Sequence, residues 1–123
     1  MNKNQEEDQL QQLLDVIIEA IRSKKGEEIT DLDLTHLNTS ICRHFVICHA
    51  SSTTQVKAIA HTIEDQVSKK NRLKPFHREG YENASWILLD FADVIVHVFQ
   101  ETYRRFYQLE ELWADGIRKD CVT

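Results

Sequence analysis

Between Gln9 and Ser23, apolar residues fall at Leu10, Leu13, Leu14, Ile17, Ile18 and Ile21. That three-and-four spacing predicts an amphipathic helix. Lys24 and Lys25 sit in its last turn, where cations favour the helix dipole, and Gly26 supplies a stop. The polar residues Met1–Asp8 ahead of it are expected to fray. Glu28–Leu34 reads as a first strand, with Asp31 and Asp33 set among Ile29, Leu32 and Leu34. Thr35–Ser40 is expected to be a loop or a short helical turn. A second strand spans Ile41–His49, with Phe45 and Ile47 on one face and Cys42, His44, Val46 and Cys48 on the other. Ser51 and Ser52 stand at a helix N-cap, and a helix of about Thr53–Lys70 carries Val56, Ile59, Ala60, Ile63 and Val67 inward. Pro75, the one proline, marks Lys74–Arg78 as an edge strand or a strand start.

The densest apolar pattern follows. Ser85–Asp90 and Val94–Phe99 are rich in β-branched and aromatic residues, and the short polar turn Asp90–Asp93 joins them. Few positions alternate to polar, so these read as central strands covered on both faces by helices. Trp86, Asp90, Asp93 and His97 are the exceptions. Glu101–Asp115 reads as one last helix with Phe106, Leu109, Leu112 and Trp113 toward the core, and residues 116–123 as a C-terminal tail. The order helix, strand, strand, helix, three strands, helix predicts an α/β (α+β) single domain over residues 9–115, with a mixed, roughly five-stranded sheet flanked by helices. The long helix after the second strand implies a right-handed parallel crossover, and the last three strands are close enough in sequence to be antiparallel neighbours.

Charge narrows the partners. The chain of 123 residues carries a formal net charge of −5, which disfavours a bare phosphate backbone and favours a basic protein. Ribosomal proteins are one such class. No apolar run reaches the length of a membrane span, no targeting pattern is visible, and three cysteines without framework spacing point to a reducing cytoplasm.

Four chemistries are worth weighing. Cys42, His44, Cys48 and His49 contain metal-binding residue types, but along one strand they span too far to close a tetrahedral site, so core packing is favoured. Asp31 and Asp33 share a strand face and suggest magnesium-dependent nucleotide transfer, with Ser51-Ser52 at a helix start. No glycine-rich phosphate cradle accompanies them. Asp90, Asp93 and His97 suggest acid–base work, yet no nucleophile or oxyanion-holding turn is near in sequence. Trp86 on the face of Leu88 and Asp90 has the character of a protein-binding patch. Tyr103, Arg104, Arg105, Tyr107 and Trp113 suggest a binding helix, although Phe106, Leu109, Leu112 and Trp113 at helical spacing favour packing.

Several segments carry a resemblance. Phe45-Val46-Ile47-Cys48, Gln55–Ala60, the run Glu79–Asp90 and the run Asp93–Phe99 resemble the ribosomal silencing factor (RsfS, or Iojap) family, and Arg105–Trp113 resembles its C-terminal signature. The similarity extends from about Asp15 to Asp115. It implies a nucleotidyltransferase-like sheet lacking that fold's catalytic motif, no enzymatic activity, no cofactor and no metal. It implies binding to the large ribosomal subunit through ribosomal protein L14, a steric block to the small subunit, repression of translation when nutrients are short, and a homodimer in isolation. Motif position and strand alternation together nominate Trp86, Leu88, Asp90, Asp93 and His97 as partner-binding residues. The rival expectation is a nucleotide-dependent transferase using Asp31 and Asp33. Departures from the family pattern fall at Arg43 and His44, at Ala50, and at Ala92, where replacement of a common glycine suggests a turn without positive φ.

Overall fold

The computed structural model describes residues 2–37 and 41–121; part of the expected loop Thr35–Ser40 therefore lies outside the described residues. Helix α1 (Lys3–Ser23) starts six residues before Gln9, the start expected from the apolar period. Asn2 and Gln5 form a reciprocal capping box that satisfies two orphan amides, so a helix extends through polar residues expected to fray. At its other end the left-handed residue is Lys25 (φ 61°), not Gly26. The amides of Lys25 and Gly26 bond back to the Arg22 and Ile21 carbonyls, closing a Schellman motif. Gly26 is needed for room: a Cβ there would lie 2.3 Å from the Ile21 Cγ2.

Strands β1 (Glu27–Asp33) and β2 (His44–Ala50) pair antiparallel. Ser52 caps helix α2 (Thr53–Asn71), whose buried residues are the five expected from the sequence. The chain then crosses to β3 (His77–Glu79), an edge strand as Pro75 suggested, and returns through β4 (Trp86–Asp90) and β5 (Val94–Gln100) as an antiparallel meander. β5 closes the sheet against β2 in parallel register. The result is a single mixed α/β domain in which α1 and α2 pack on one face of the sheet.

Three further expectations change. First, the sheet has six strands, in the order β3-β4-β5-β2-β1-β6, because β6 (Ile117–Cys121) pairs with β1 within the segment read as a tail. Second, the C-terminal helix is broken. Helix α3 (Glu101–Tyr107) ends at left-handed Gln108, and a single turn, α4 (Leu109–Leu112), follows. Arg104 is buried on α3, so the helical period turns Phe106, two residues on, away from the protein. Phe106 is 78% and Leu112 75% exposed, whereas Leu109 and Trp113 do pack inward. Third, Ala92 takes φ 72°, so the β4–β5 turn does require the left-handed region. Asp90 Oδ1 accepts the Ala92 amide at 2.7 Å and offsets a conformation that costs a non-glycine residue ~1–2 kcal/mol.

Candidate functional site

The two faces of the sheet are unequally covered. Val46, Cys48, Ile87, Leu89, Val94, Val96 and Val98 lie under α1 and α2. On the opposite face Leu32, Phe45, Ile47, Ile95 and Phe99 cluster with Leu34 and Leu109, with Leu37, Cys42, Trp86, Leu88 and Trp113 at the margin, and the helices on this side are the short α3 and α4. Burial along β4 therefore alternates. Ile87 and Leu89 are buried, while Trp86, Leu88 and Asp90 are half-buried on the lightly covered face, so the expected two-sided cover fails there. These three residues are spread over roughly 13 Å at the usual strand rise.

Each nominated residue has a distinct setting. Trp86 stacks on Phe99, its cross-strand partner, with ring centroids 4.8 Å apart. Its indole Nε1–H donates to His97 Nδ1 at 3.1 Å. His97 faces Leu88 across the ladder, sits edge-on to Phe45, and is only 4% exposed. It presents no surface to a partner; its effect is to fix the indole. Because Nδ1 accepts, the neutral ring carries its proton on Nε2, which is buried without an acceptor. Asp90 caps its own turn and its carbonyl accepts the Phe76 amide, whereas Asp93 is exposed and its carbonyl accepts the Arg43 and His44 amides.

Sequence alone missed what the fold adds to this patch. Tyr107 of α3 lies 5.1 Å from the Trp86 ring, with Phe106 edge-on to Tyr107 and Tyr103 one turn back. An aromatic strip thus runs from the sheet onto the helix, and its far members are open to solvent. The Arg105–Trp113 segment was a visible signal; its contact with Trp86 was not.

Burial pushes the His97 pKa down to about 3. The unfolded chain, with an ordinary histidine near 6.5, then binds the proton first as pH falls, so His97 stabilises the fold fully above about pH 6.5 and progressively less below it. The expected loss is ~1.4 kcal/mol per pH unit, or about 2–3 kcal/mol between pH 7 and 4.5. Denaturant unfolding at the two pH values measures it. His97→Gln keeps an acceptor for Trp86 without a titrating ring, and should flatten the slope by that amount; an equal slope in wild type and variant rules the histidine out as its source.

The competing chemistries are spoken for. His44 Nδ1 and Asp31 Oδ1 form a buried pair at 2.7 Å, and Asp33 Oδ1 accepts the Thr35 hydroxyl and amide. Burial would raise the Asp33 pKa, but those Thr35 bonds and nearby histidines lower it on balance. Cys48 is enclosed under the helices, with its thiol pushed up to about 12, and burial pushes Cys42 up to about 11, so neither is a thiolate donor at neutral pH. His49 lies on the other face from Cys48 and His44. There Glu27, His49 and Glu101 bring potential ligand atoms within 4.8 Å of one another. Arg104 Nη1, which can only donate, points at His49 Nδ1 from 3.0 Å, so the neutral ring is protonated on Nε2 and offers no lone pair toward the two carboxylates. Among the described residues no helix is long and apolar enough to cross a membrane.

Comparison with known proteins agrees with this architecture. A crystal structure from Chromobacterium violaceum matches with a TM-score of 0.79 and 32% identity, covering 92% of each chain. A second, from Bacillus halodurans, matches with a TM-score of 0.73 and 39% identity over 84% of this chain and 94% of that one. Ribosomal silencing factor RsfS of Halalkalibacterium halodurans is 40% identical over 106 residues, 86% of this chain and 89% of the relative. That of Bacillus subtilis is 38% identical over 104 residues, 85% and 86% respectively. The chloroplastic protein Iojap of Zea mays is 39% identical over 74 residues, which cover 60% of this chain and 32% of that longer protein. The family described as "Ribosomal silencing factor during starvation" matches residues 7–123, and the chain belongs to that family.

Proposed function

We propose that this chain is a non-enzymatic repressor of translation that binds the large ribosomal subunit through ribosomal protein L14 and, by its bulk, keeps the small subunit from joining. The observation that carries this is the aromatic strip on a thinly covered sheet face. Phe106, Tyr107 and Tyr103 stand open beside half-buried Trp86 and Leu88, and exposed apolar groups that are contiguous mark protein interfaces. Trp86 and Leu88 would supply apolar contact. Asp90 and Asp93 on the sheet and the exposed Glu111 on α4 would face cations of the partner, in keeping with a net charge of −5. His97 acts from beneath, by orienting Trp86. The engaged state of Asp31 and Asp33 supports this over a nucleotide-dependent transferase.

Light scattering during reassociation of purified ribosomal subunits tests the proposal. Excess protein added to large subunits first should slow or abolish the rise in scattering. Reassociation at the control rate and extent would overturn it.

A further inference from the structure

A second concave feature lies away from the aromatic strip, where the first turns of α1, the end of α2 and the β4–β5 turn meet. It is a cleft of about 690 Å³, inside the 300–1,000 Å³ range usual for small-molecule sites. In a chain of net charge −5, three cations line it: Arg43, Lys70 and Arg72. Nearby, Lys69 pairs with Asp65 and Arg78 with Glu64. The side chains of these three make no ion pair or hydrogen bond among the described residues. Glu6 and Asp93 also line the cleft, so its charge is mixed, with cations in excess.

The uncharged part of the wall is equally specific. Phe76 projects into solvent with 73% of its surface open, an unusual state for a phenyl ring beside a strand and one suited to stacking on a flat ligand. Its backbone is held, since the Phe76 amide donates to the Asp90 carbonyl at 2.8 Å. Cations for phosphate and a ring for a base are two complementary needs of one ligand class. Helix-dipole compensation at the end of α2 accounts for Lys70 and the C-cap Arg72, but not for Arg43, which comes from outside that helix.

We propose that this cleft binds a nucleoside di- or triphosphate, with Arg43, Lys70 and Arg72 on the phosphates and Phe76 against the base. Asp93 borders both this cleft and the docking face, but none of the residues assigned to the nucleotide is assigned to the partner, so the two can fail separately. The test is titration calorimetry of the whole protein with ADP, ATP, GDP and GTP in turn, in magnesium-free buffer, with tripolyphosphate as a base-free probe. Saturable binding of at least one nucleotide is expected, at least tenfold tighter than tripolyphosphate. The double variant Arg43→Gln/Lys70→Gln should weaken it tenfold or more, and Phe76→Ala threefold or more, with circular dichroism unchanged. Both variants should still co-sediment with large subunits, which separates this site from the aromatic strip. No saturable heat with any of the four nucleotides at millimolar concentration overturns the proposal. So does equal affinity for tripolyphosphate, or binding that the folded double variant leaves unaltered.

Discussion

Trp86→Ala should weaken binding to the large subunit by about thirtyfold or more, the equivalent of ~2 kcal/mol for a buried interface anchor. The same substitution has a cost inside the protein. The indole stacks on Phe99, touches Tyr107 and gives its N–H to a buried acceptor on His97. Removing it opens a gap beneath α3 and strands His97 Nδ1, for a combined loss of about 3 kcal/mol of stability. Loss of co-sedimentation therefore has to be read beside an unfolding curve. Trp86→Phe separates the two effects: it keeps an aromatic ring on Phe99 and removes the N–H and the outer ring. It should remain folded, losing about 1–2 kcal/mol, while its affinity still falls several-fold. Either variant, folded and binding as wild type does, takes Trp86 out of the interface.

How far the chain announced this arrangement depends on which physical signal each element carries. Helix α2 was legible because burial on one face imposes a period of 3.6 on its apolar residues, and β2, β4 and β5 because each is a short, dense apolar run, β2 and β5 being buried on both faces. Strand β6 carries no such signal. Its five residues, Ile-Arg-Lys-Asp-Cys, are mostly charged and exposed, and it is a strand because β1 offers a free edge to pair with. The break at Gln108 was equally silent, since neither glycine nor proline marks it. The phase of Trp86, Leu88 and Asp90 followed from alternation, but which of the two faces stays thinly covered did not. That is decided by where α3 is anchored, and the anchor is a buried arginine, a residue that pattern alone assigns to the surface.

Arg104→Met should cost about 3–5 kcal/mol, a large part of the stability of a domain this size. The guanidinium is 3% exposed and almost fully engaged. Nη1 donates to the Glu28 carbonyl at 2.7 Å and to His49 Nδ1 at 3.0 Å, Nη2 donates to Thr30 Oγ1 at 3.2 Å, and Nε lies 3.6 Å from Glu110 Oε1. Glu28 has φ 46°, within the irregularity of β1, so the arginine also holds a strained stretch of backbone in place. Methionine fills much of the volume but leaves the Glu110 carboxylate and His49 Nδ1 without their cation. Lysine, a point charge with no planar fork, cannot serve the three elements at once and should recover less than half of the loss. Denaturant unfolding measures both. In the double variant Arg104→Met/Glu110→Met the orphaned carboxylate is gone, and at least ~1 kcal/mol should return. The same substitution reaches the docking strip: with α3 released, Tyr107 no longer lies against Trp86, and subunit binding should fall under conditions where circular dichroism still reports a folded sheet. Full binding by a folded Arg104→Met chain would show that α3 holds its place by apolar contact, and that the strip does not depend on the arginine.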